Sequence, residues 1–179
     1  MKKFILSVVL ILPFYTFADD HNPMGPGEGS FTTFMVQAPD VSAYIKHLKN
    51  NPELFSGFNA AAAGVCVTVT GQDYHGEMFV WSAHSNVTGA MEETTAYDID
   101  EAPKDLDKLR TPKYRVVWKP LKPFILSPGF ERVTRVKIKP ENVPAYIAAA
   151  TKLEAAIRNA GHDFNMGIFQ PLGGGVHET

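Results

Sequence analysis

The hydrophobic and polar positions predict a regular series of strands and helices from Phe31 onward. Period-two alternation and β-branched or aromatic content are typical of strands, whereas apolar residues three and four apart are typical of helices. Asp40 and Asn86 each precede a helical pattern and are suitable N-caps. The pattern predicts strands at residues 31–37, 64–70, 77–84 and 114–119, and helices after Asp40 and Asn86. Residues 98–107 are acidic and contain Pro103, so we expect a solvated connection there.

This order of elements, β-α-β-β-α-β, is that of a ferredoxin-like unit in the α+β class. A second copy then begins: a strand at 130–139, a helix opened by Pro140 and Asn142 and ending at Gly161, a strand at 164–170 and a loop at 171–175. The helix starts Val41-Ser-Ala-Tyr-Ile and Val143-Pro-Ala-Tyr-Ile are related by an offset of 102 residues. Tandem duplication is therefore favoured, and Tyr44 and Tyr146 are expected on equivalent buried stripes.

The repeat divides the chain into a first unit at 31–122 and a second unit at 130–179. The second unit lacks its third strand, second helix and fourth strand. Such a half unit leaves strand edges unpaired, so a truncated fragment is favoured over a natural half copy.

Composition excludes several classes of protein and function. The 179 residues are 45% hydrophobic and 20% charged, with a net charge of −2. These values exclude a disordered chain and a coiled coil, and they give no electrostatic footprint for nucleic acid. The single cysteine, Cys66, excludes an internal disulfide and a cysteine-based zinc site.

The first 18 residues have the pattern of a secretory signal peptide. Lys2 and Lys3 precede an apolar stretch, and cleavage is expected after Ala18. The stretch is too short for a transmembrane anchor and contains Pro13. We therefore expect a periplasmic or secreted protein without a stable membrane anchor, in which residues 19–30 form a flexible tether.

Cleavage after Ala18 would create a candidate metal site at the new amino terminus. Its residues would be Asp19, Asp20 and His21. The free amine, two backbone nitrogens and the imidazole could bind Cu(II) or Ni(II) in a square plane. An accidental histidine at the third position is the alternative.

His84 is the strongest candidate for a catalytic residue. Along residues 77–84, Phe79 and Trp81 share one strand face, and Ser82 and His84 share the other. The bulk of Phe79 and Trp81 suggests that their face packs on the helices, which would turn His84 into a cavity as a general base. Similar logic on the second strand assigns Cys66 and Thr68 to the cavity. We expect these two residues, with Ser82 and Arg115, to form the ligand-binding wall beside His84. The alternative is a strand-end histidine hydrogen-bonded at a helix start.

The order of elements resembles the dimeric α+β barrel superfamily, here as a fused copy. That superfamily includes proteins similar to antibiotic-biosynthesis monooxygenases and stress-responsive barrel proteins. The resemblance covers residues 31–170 and implies a cavity between two sheets, without supplying catalytic residues. Haem-degrading members hold iron with a helical histidine, and His47 is the only histidine in a predicted helix here.

Two functions therefore remain open. One is an exported barrel that binds a small apolar or aromatic ligand, as a cofactor-free oxygenase or isomerase or without catalysis. The other is a periplasmic interaction or structural protein, with a homo-oligomer left open. No motif identifies a cofactor.

Overall fold

The computed structural model describes residues 29–98, 101–125 and 128–175, which form an α+β fold. Five strands make one sheet in the order β2-β3-β1-β4-β5, and every neighbouring pair is antiparallel. The strands are β1 (Ser30–Gln37), β2 (Ala62–Val67), β3 (Glu77–His84), β4 (Thr111–Pro120) and β5 (Phe169–Gly174). The helices are α1 (Val41–Asn50), α2 (Glu53–Ser56), α3 (Val87–Ala96), α4 (Lys104–Leu109) and α5 (Val143–Asn159). A 3₁₀ turn at Pro140–Asn142 precedes α5.

The two predicted N-caps are confirmed, and each fixes the start of its helix. The Asp40 carboxylate accepts a hydrogen bond from the Ala43 backbone N–H, and the Asn86 side chain accepts one from Gly89 N–H. Each cap satisfies one of the amide groups that the first helical turn leaves without an intrahelical partner. Because each cap lies just after a strand, it also fixes where the chain leaves the sheet.

One face of the sheet packs against the helices and forms the main core. Phe34 and Val36 of β1 lie beside Met78 of β3, and Tyr44 and Leu48 of α1 cover them. Burial of such side chains contributes about 1.5–3 kcal/mol each, before the entropy of ordering them is subtracted. We call this side the helix face.

The other side, the open face, is also rich in aromatic side chains. The rings of Phe31 and Trp81 stack with centroids 5.3 Å apart, and Phe169 of β5 lies 5.8 Å from Phe31. The Trp81 ring crosses Gly64 of β2 so closely that a Cβ at Gly64 would lie 2.6 Å from a ring carbon. Gly64 is therefore the residue that lets Trp81 lie flat on this face.

Polar contacts join the open face to residues 130–139. Sγ of Cys66 lies 3.8 Å from Oε2 of Glu131, and Nη2 of Arg135 donates to Tyr114 Oη at 3.2 Å. These residues have no strand assignment, so the predicted strand at 130–139 is wrong. Val133 and Val136 are 69% and 51% exposed, so neither is covered by packing.

The second half of the predicted repeat differs in two further ways. The strand predicted at 164–170 begins later, as β5, and includes most of the predicted loop at 171–175. It pairs with β4 in the same sheet instead of starting a second sheet. The helix is present as α5, but Tyr146 is 38% exposed whereas Tyr44 is 0% exposed, so their predicted equivalence in burial is wrong.

A buried ion pair joins α5 to the segment after β4. Lys122 Nζ lies 2.6 Å from Oε2 of Glu154 and also donates to the Met166 carbonyl. The Met166 N–H donates to the other Glu154 oxygen. Burial acts to raise the pKa of Glu154, but the Lys122 and Met166 hydrogen bonds and the charges of Lys122 and Arg158 together lower it below its ordinary value.

Two other expectations concern the chain outside these elements. The prediction of a solvated connection at 98–107 is wrong in part. Helix α4 begins within this segment, and its Leu106 is buried in the main core. The predicted signal peptide and the Asp19, Asp20 and His21 metal site lie outside the described residues. In the part of the chain that the structure describes, no helix has both the length and the apolar content needed to cross a membrane.

Candidate functional site

His84 lies at the end of β3 and is held from the helix face by α3. Its Nε2 lies 2.5 Å from Oε2 of Glu93, and the Thr32 hydroxyl donates to the same oxygen at 2.9 Å. An ionised carboxylate can only accept, so Nε2 is the donor in this pair. His84 is 2% exposed, and the Glu93 side chain is 11% exposed. Glu93 therefore fixes both the orientation and the tautomer of the imidazole.

The other ring nitrogen of His84 has no partner within the described residues. Nδ1 is buried without a hydrogen bond, and it faces Gly89 in the first turn of α3. A Cβ at Gly89 would lie 3.2 Å from Nδ1, so a side chain at this position would crowd that atom. A buried polar atom without a partner costs about 1–3 kcal/mol, and such atoms usually have a functional or solvent explanation.

A cavity of about 380 Å³ lies at this end of α3, with His84 in its wall. The other lining residues are mostly polar: Asn59, Ser85, Asn86, Thr88, Gly89 and Glu92. The Glu92 carboxylate and the Nδ1 lone pair are acceptors, so this cavity suits a small polar molecule that donates hydrogen bonds. It can support proton transfer, because a carboxylate-oriented histidine with one free nitrogen is the usual form of a general base.

The predicted choice of strand faces is wrong, although His84 does line a cavity. Ser82 and His84 lie on the helix face, whereas Trp81 and Phe79 lie on the open face. The prediction assumed that only bulky side chains could pack under the helices. Here the helix face of β3 packs well with smaller residues, because Tyr44 and Tyr97 supply the aromatic volume from the helices.

The structure brings Ser82, His84 and Arg115 to the same face and separates them from Cys66 and Thr68. Arg115 pairs with Phe34 across the sheet, and Phe34 pairs with Val80, so these three lie on the helix face. Cys66 pairs with Phe79 and lies on the open face, and Thr68 follows the end of β2 with the same alternation. Cys66 and Thr68 therefore do not share a pocket with His84.

Cys66 has the environment of an unreactive thiol. Burial, followed by the nearby Glu131 carboxylate, raises the pKa of the Cys66 thiol to about 12. The thiolate is the nucleophilic form of cysteine, so very little of the reactive form exists at neutral pH. The raised pKa therefore argues against a nucleophilic role for Cys66.

A second, smaller cavity lies inside the helix face and contains two arginines. Its volume is about 60 Å³, and Phe34, Tyr44 and Tyr97 line it together with Arg110 and Arg115. Glu93 and Ser82 also reach it, so the two cavities lie on either side of the His84–Glu93 pair.

Sequence reasoning missed Glu93 and Arg110 as site residues. Glu93 lies seven residues after the Asn86 cap, and Gly89 and Glu93 are four residues apart on one side of α3. That spacing could have placed Glu93 below His84 once the cap was recognised. Arg110 follows the unpredicted helix α4, so no local pattern indicated that its side chain would be buried.

The remaining candidates lie away from both cavities. His75 and His162 are exposed, and His47 is on α1 with its carbonyl oxygen bonded to the Asn51 side chain. Among the described residues no group of three or more His, Cys, Asp or Glu side chains could hold a metal ion. Comparisons with protein-family models, curated proteins and solved structures found nothing that matches this chain.

Proposed function

We propose that the protein binds a small polar molecule in the cavity at the start of α3, with His84 as a general base or hydrogen-bond acceptor toward it. The observation that carries this proposal is the His84–Glu93 pair, which leaves Nδ1 buried, facing Gly89 and without a partner in the part of the chain that the structure describes. A structural histidine would be expected to use both nitrogens, because an unsatisfied buried atom is destabilising. The polar lining favours a hydroxyl or amine compound over the apolar or aromatic ligand expected from the sequence.

The proposed chemistry is a proton transfer. The Nδ1 lone pair would take a proton from a donor group of the ligand, and Glu93 would stabilise the imidazolium that forms. A buried carboxylate strengthens such a base because the positive charge arises beside a negative one. This reaction class needs no cofactor.

The fold and the location are proposed on separate grounds. The strand order β2-β3-β1-β4 with antiparallel neighbours supports a ferredoxin-like first unit. The extra strand β5, on the β4 edge, is compatible with a second copy fused to it. The Lys2-Lys3 start and the apolar stretch that follows support export to the periplasm or outside the cell.

A Gly89→Ala variant tests the site without removing any hydrogen bond. Alanine favours a helix by about 1 kcal/mol over glycine, so the fold should tolerate the change. Its methyl group, however, would stand 3.2 Å from Nδ1 and close the approach. Gly57→Ala is the matched control, because its Cβ would meet nothing closer than a carbonyl oxygen at 3.9 Å.

The measurement is the ¹⁵N NMR resonance of His84 Nδ1 during titration with ethanolamine and ethylene glycol as probes. The parent and Gly57→Ala proteins should show a saturable shift of that resonance, and Gly89→Ala should show none. No shift in the parent protein, or equal shifts in the two variants, would overturn the proposal.

A second candidate function is interaction with another protein, and exposed apolar side chains within residues 128–175 favour it. Phe130 is fully exposed, and Leu153 of α5 is 52% exposed. Exposed apolar patches commonly mark such surfaces. Light scattering at several concentrations tests for a homo-oligomer, and a monomer at every concentration would count against self-association.

A further inference from the structure

The small cavity on the helix face contains two arginine side chains, Arg110 and Arg115. Arg110 is 5% exposed, although arginine is rarely so buried without a charged partner. Within the described residues, no carboxylate forms a salt bridge with Arg110 or Arg115. Glu93 lines the same cavity, but its Oε2 already accepts from His84 and Thr32.

Both guanidinium groups lie over the same aromatic rings. The Arg110 Cζ is 4.7 Å from the centre of the Phe34 ring, and the Arg115 Cζ is 5.3 Å from the same centre. Tyr97 is shared in the same way, at 5.6 and 5.4 Å. Two cations held around the same rings repel each other, and a single carboxylate in the cavity does not balance both charges.

The polar groups around Arg110 are arranged as hydrogen-bond donors. Its guanidinium donates to the hydroxyl oxygens of Tyr44 and Tyr97. A phenol that accepts from arginine still has its own proton to donate. Burial acts to raise the pKa of Tyr44 and outweighs the effect of Arg110, so this hydroxyl keeps its proton at neutral pH. The cavity therefore offers converging N–H and O–H donors.

We propose that this cavity binds the carboxylate group of a small anion, held between Arg110 and Arg115. Two guanidinium groups provide the forked donors that match the geometry of a carboxylate. The volume of about 60 Å³ is about that of two water molecules, which suits a carboxylate group and excludes a large ligand from the interior. The aromatic side chains of Phe55 and Phe58, which also line the cavity, would contact an apolar part of the anion.

Acetate and acetamide are the probes, because they have nearly the same shape and only acetate is charged. Binding to the full chain is followed by the ring resonances of Tyr44 and Tyr97 at constant ionic strength. Acetate should shift these resonances saturably, with an affinity at least about tenfold higher than that of acetamide. Equal effects of the two probes, or no saturable effect of acetate, would overturn the proposal.

Arg110→Lys, Arg115→Gln and Lys113→Gln locate the site. Lys113 lies on β4 like Arg115 but sits over Tyr74, away from the cavity, so its replacement is the matched control. Arg110→Lys keeps the charge in case a neutral residue prevents folding. Both arginine variants should weaken acetate binding about tenfold, and Lys113→Gln should not change it. Unchanged binding in the folded Arg115→Gln variant would contradict the site.

His84→Gln separates this proposal from the polar site at the start of α3. Glutamine can still donate to Glu93, so the carboxylate cavity should keep its acetate affinity. Loss of acetate binding in this variant, with folding intact, would show that the anion does not bind between the arginines.

Discussion

Residues 29–120 and residues 128–175 share a sequence pattern, but the first region buries its apolar side chains more completely than the second. Tyr44 of α1 is 0% exposed against β1 and β3, whereas Tyr146 of α5 is 38% exposed. The buried stripe of α1 packs on a sheet face formed by β1, which precedes α1 in the chain, and β3, which follows it. In α5 the buried positions include Ala150 and the charged Glu154, and the helix is held by an ion pair.

The difference shows that an amphipathic pattern provides a helix but not its packing. Helical stability in proteins comes mostly from the surface that covers the apolar stripe. In the first region the sheet itself provides the surface that covers the apolar stripe of α1. The second region contributes β5 to the sheet but leaves Val133, Val136 and Leu153 exposed.

Replacing Tyr44 and Tyr146, which occupy matching positions in the sequence repeat, should give the largest contrast between the regions. Tyr44→Ala would remove a fully buried ring and the hydroxyl that accepts from Arg110, so we expect a loss of about 3–5 kcal/mol in the free energy of unfolding. Tyr146→Ala should cost about 0.5 kcal/mol or less, as for most surface changes. Urea unfolding followed by circular dichroism measures both. Similar losses would mean that α5 is packed as tightly as α1.

The pH dependence of α5 should be the next largest effect. The pKa of Glu154 is lowered in the folded protein, so the ion pair stabilises the native state above the ordinary carboxyl pKa. That stabilisation is lost as the pH falls through the lowered value. The hydrogen-exchange protection factors of the α5 amides, which correct for the intrinsic pH dependence of exchange, should therefore fall selectively in acid, before those of α1.

Glu154→Gln is the control for this prediction. At neutral pH it should already lower the free energy of opening α5, by about 2 kcal/mol because the pair is not fully enclosed. It should also remove the loss of α5 protection in acid. A loss of protection in acid that persists in Glu154→Gln would assign the effect to another carboxyl group.

The smallest effect is expected where the two regions touch at Cys66. Burial is the main cause of the raised pKa of the Cys66 thiol, and Glu131 of the second region is the next. Glu131→Gln should therefore speed alkylation by iodoacetamide only about three- to tenfold, while burial keeps the thiol slow. Glu141→Gln, an exposed change before α5, should have no effect. A rate like that of an unfolded thiol would show that residues 130–139 shield Cys66 more than the contacts indicate.

The local elements could be predicted from the sequence because their causes lie within a few residues. Asp40 and Asn86 cap the helices that follow them, and alternation along residues 77–84 indicates β3 correctly. The sequence also singled out His84 and placed Ser82 on the same strand face. These features depend on backbone amides and side-chain spacing, which neighbouring residues determine.

Only the tertiary structure decided which way each strand face points and which elements meet. Both faces of β3 carry apolar residues, so bulk alone could not show that Trp81 lies on the open face, where Gly64 makes room for it. The pairing of His84 with Glu93, and of Arg110 with Tyr44 and Tyr97, joins residues on separate elements. The unpaired residues 130–139 have a strand pattern but no neighbouring strand among the described residues. Strand pairing and cavity formation depend on contacts between distant parts of the chain, and periodicity carries no information about those contacts.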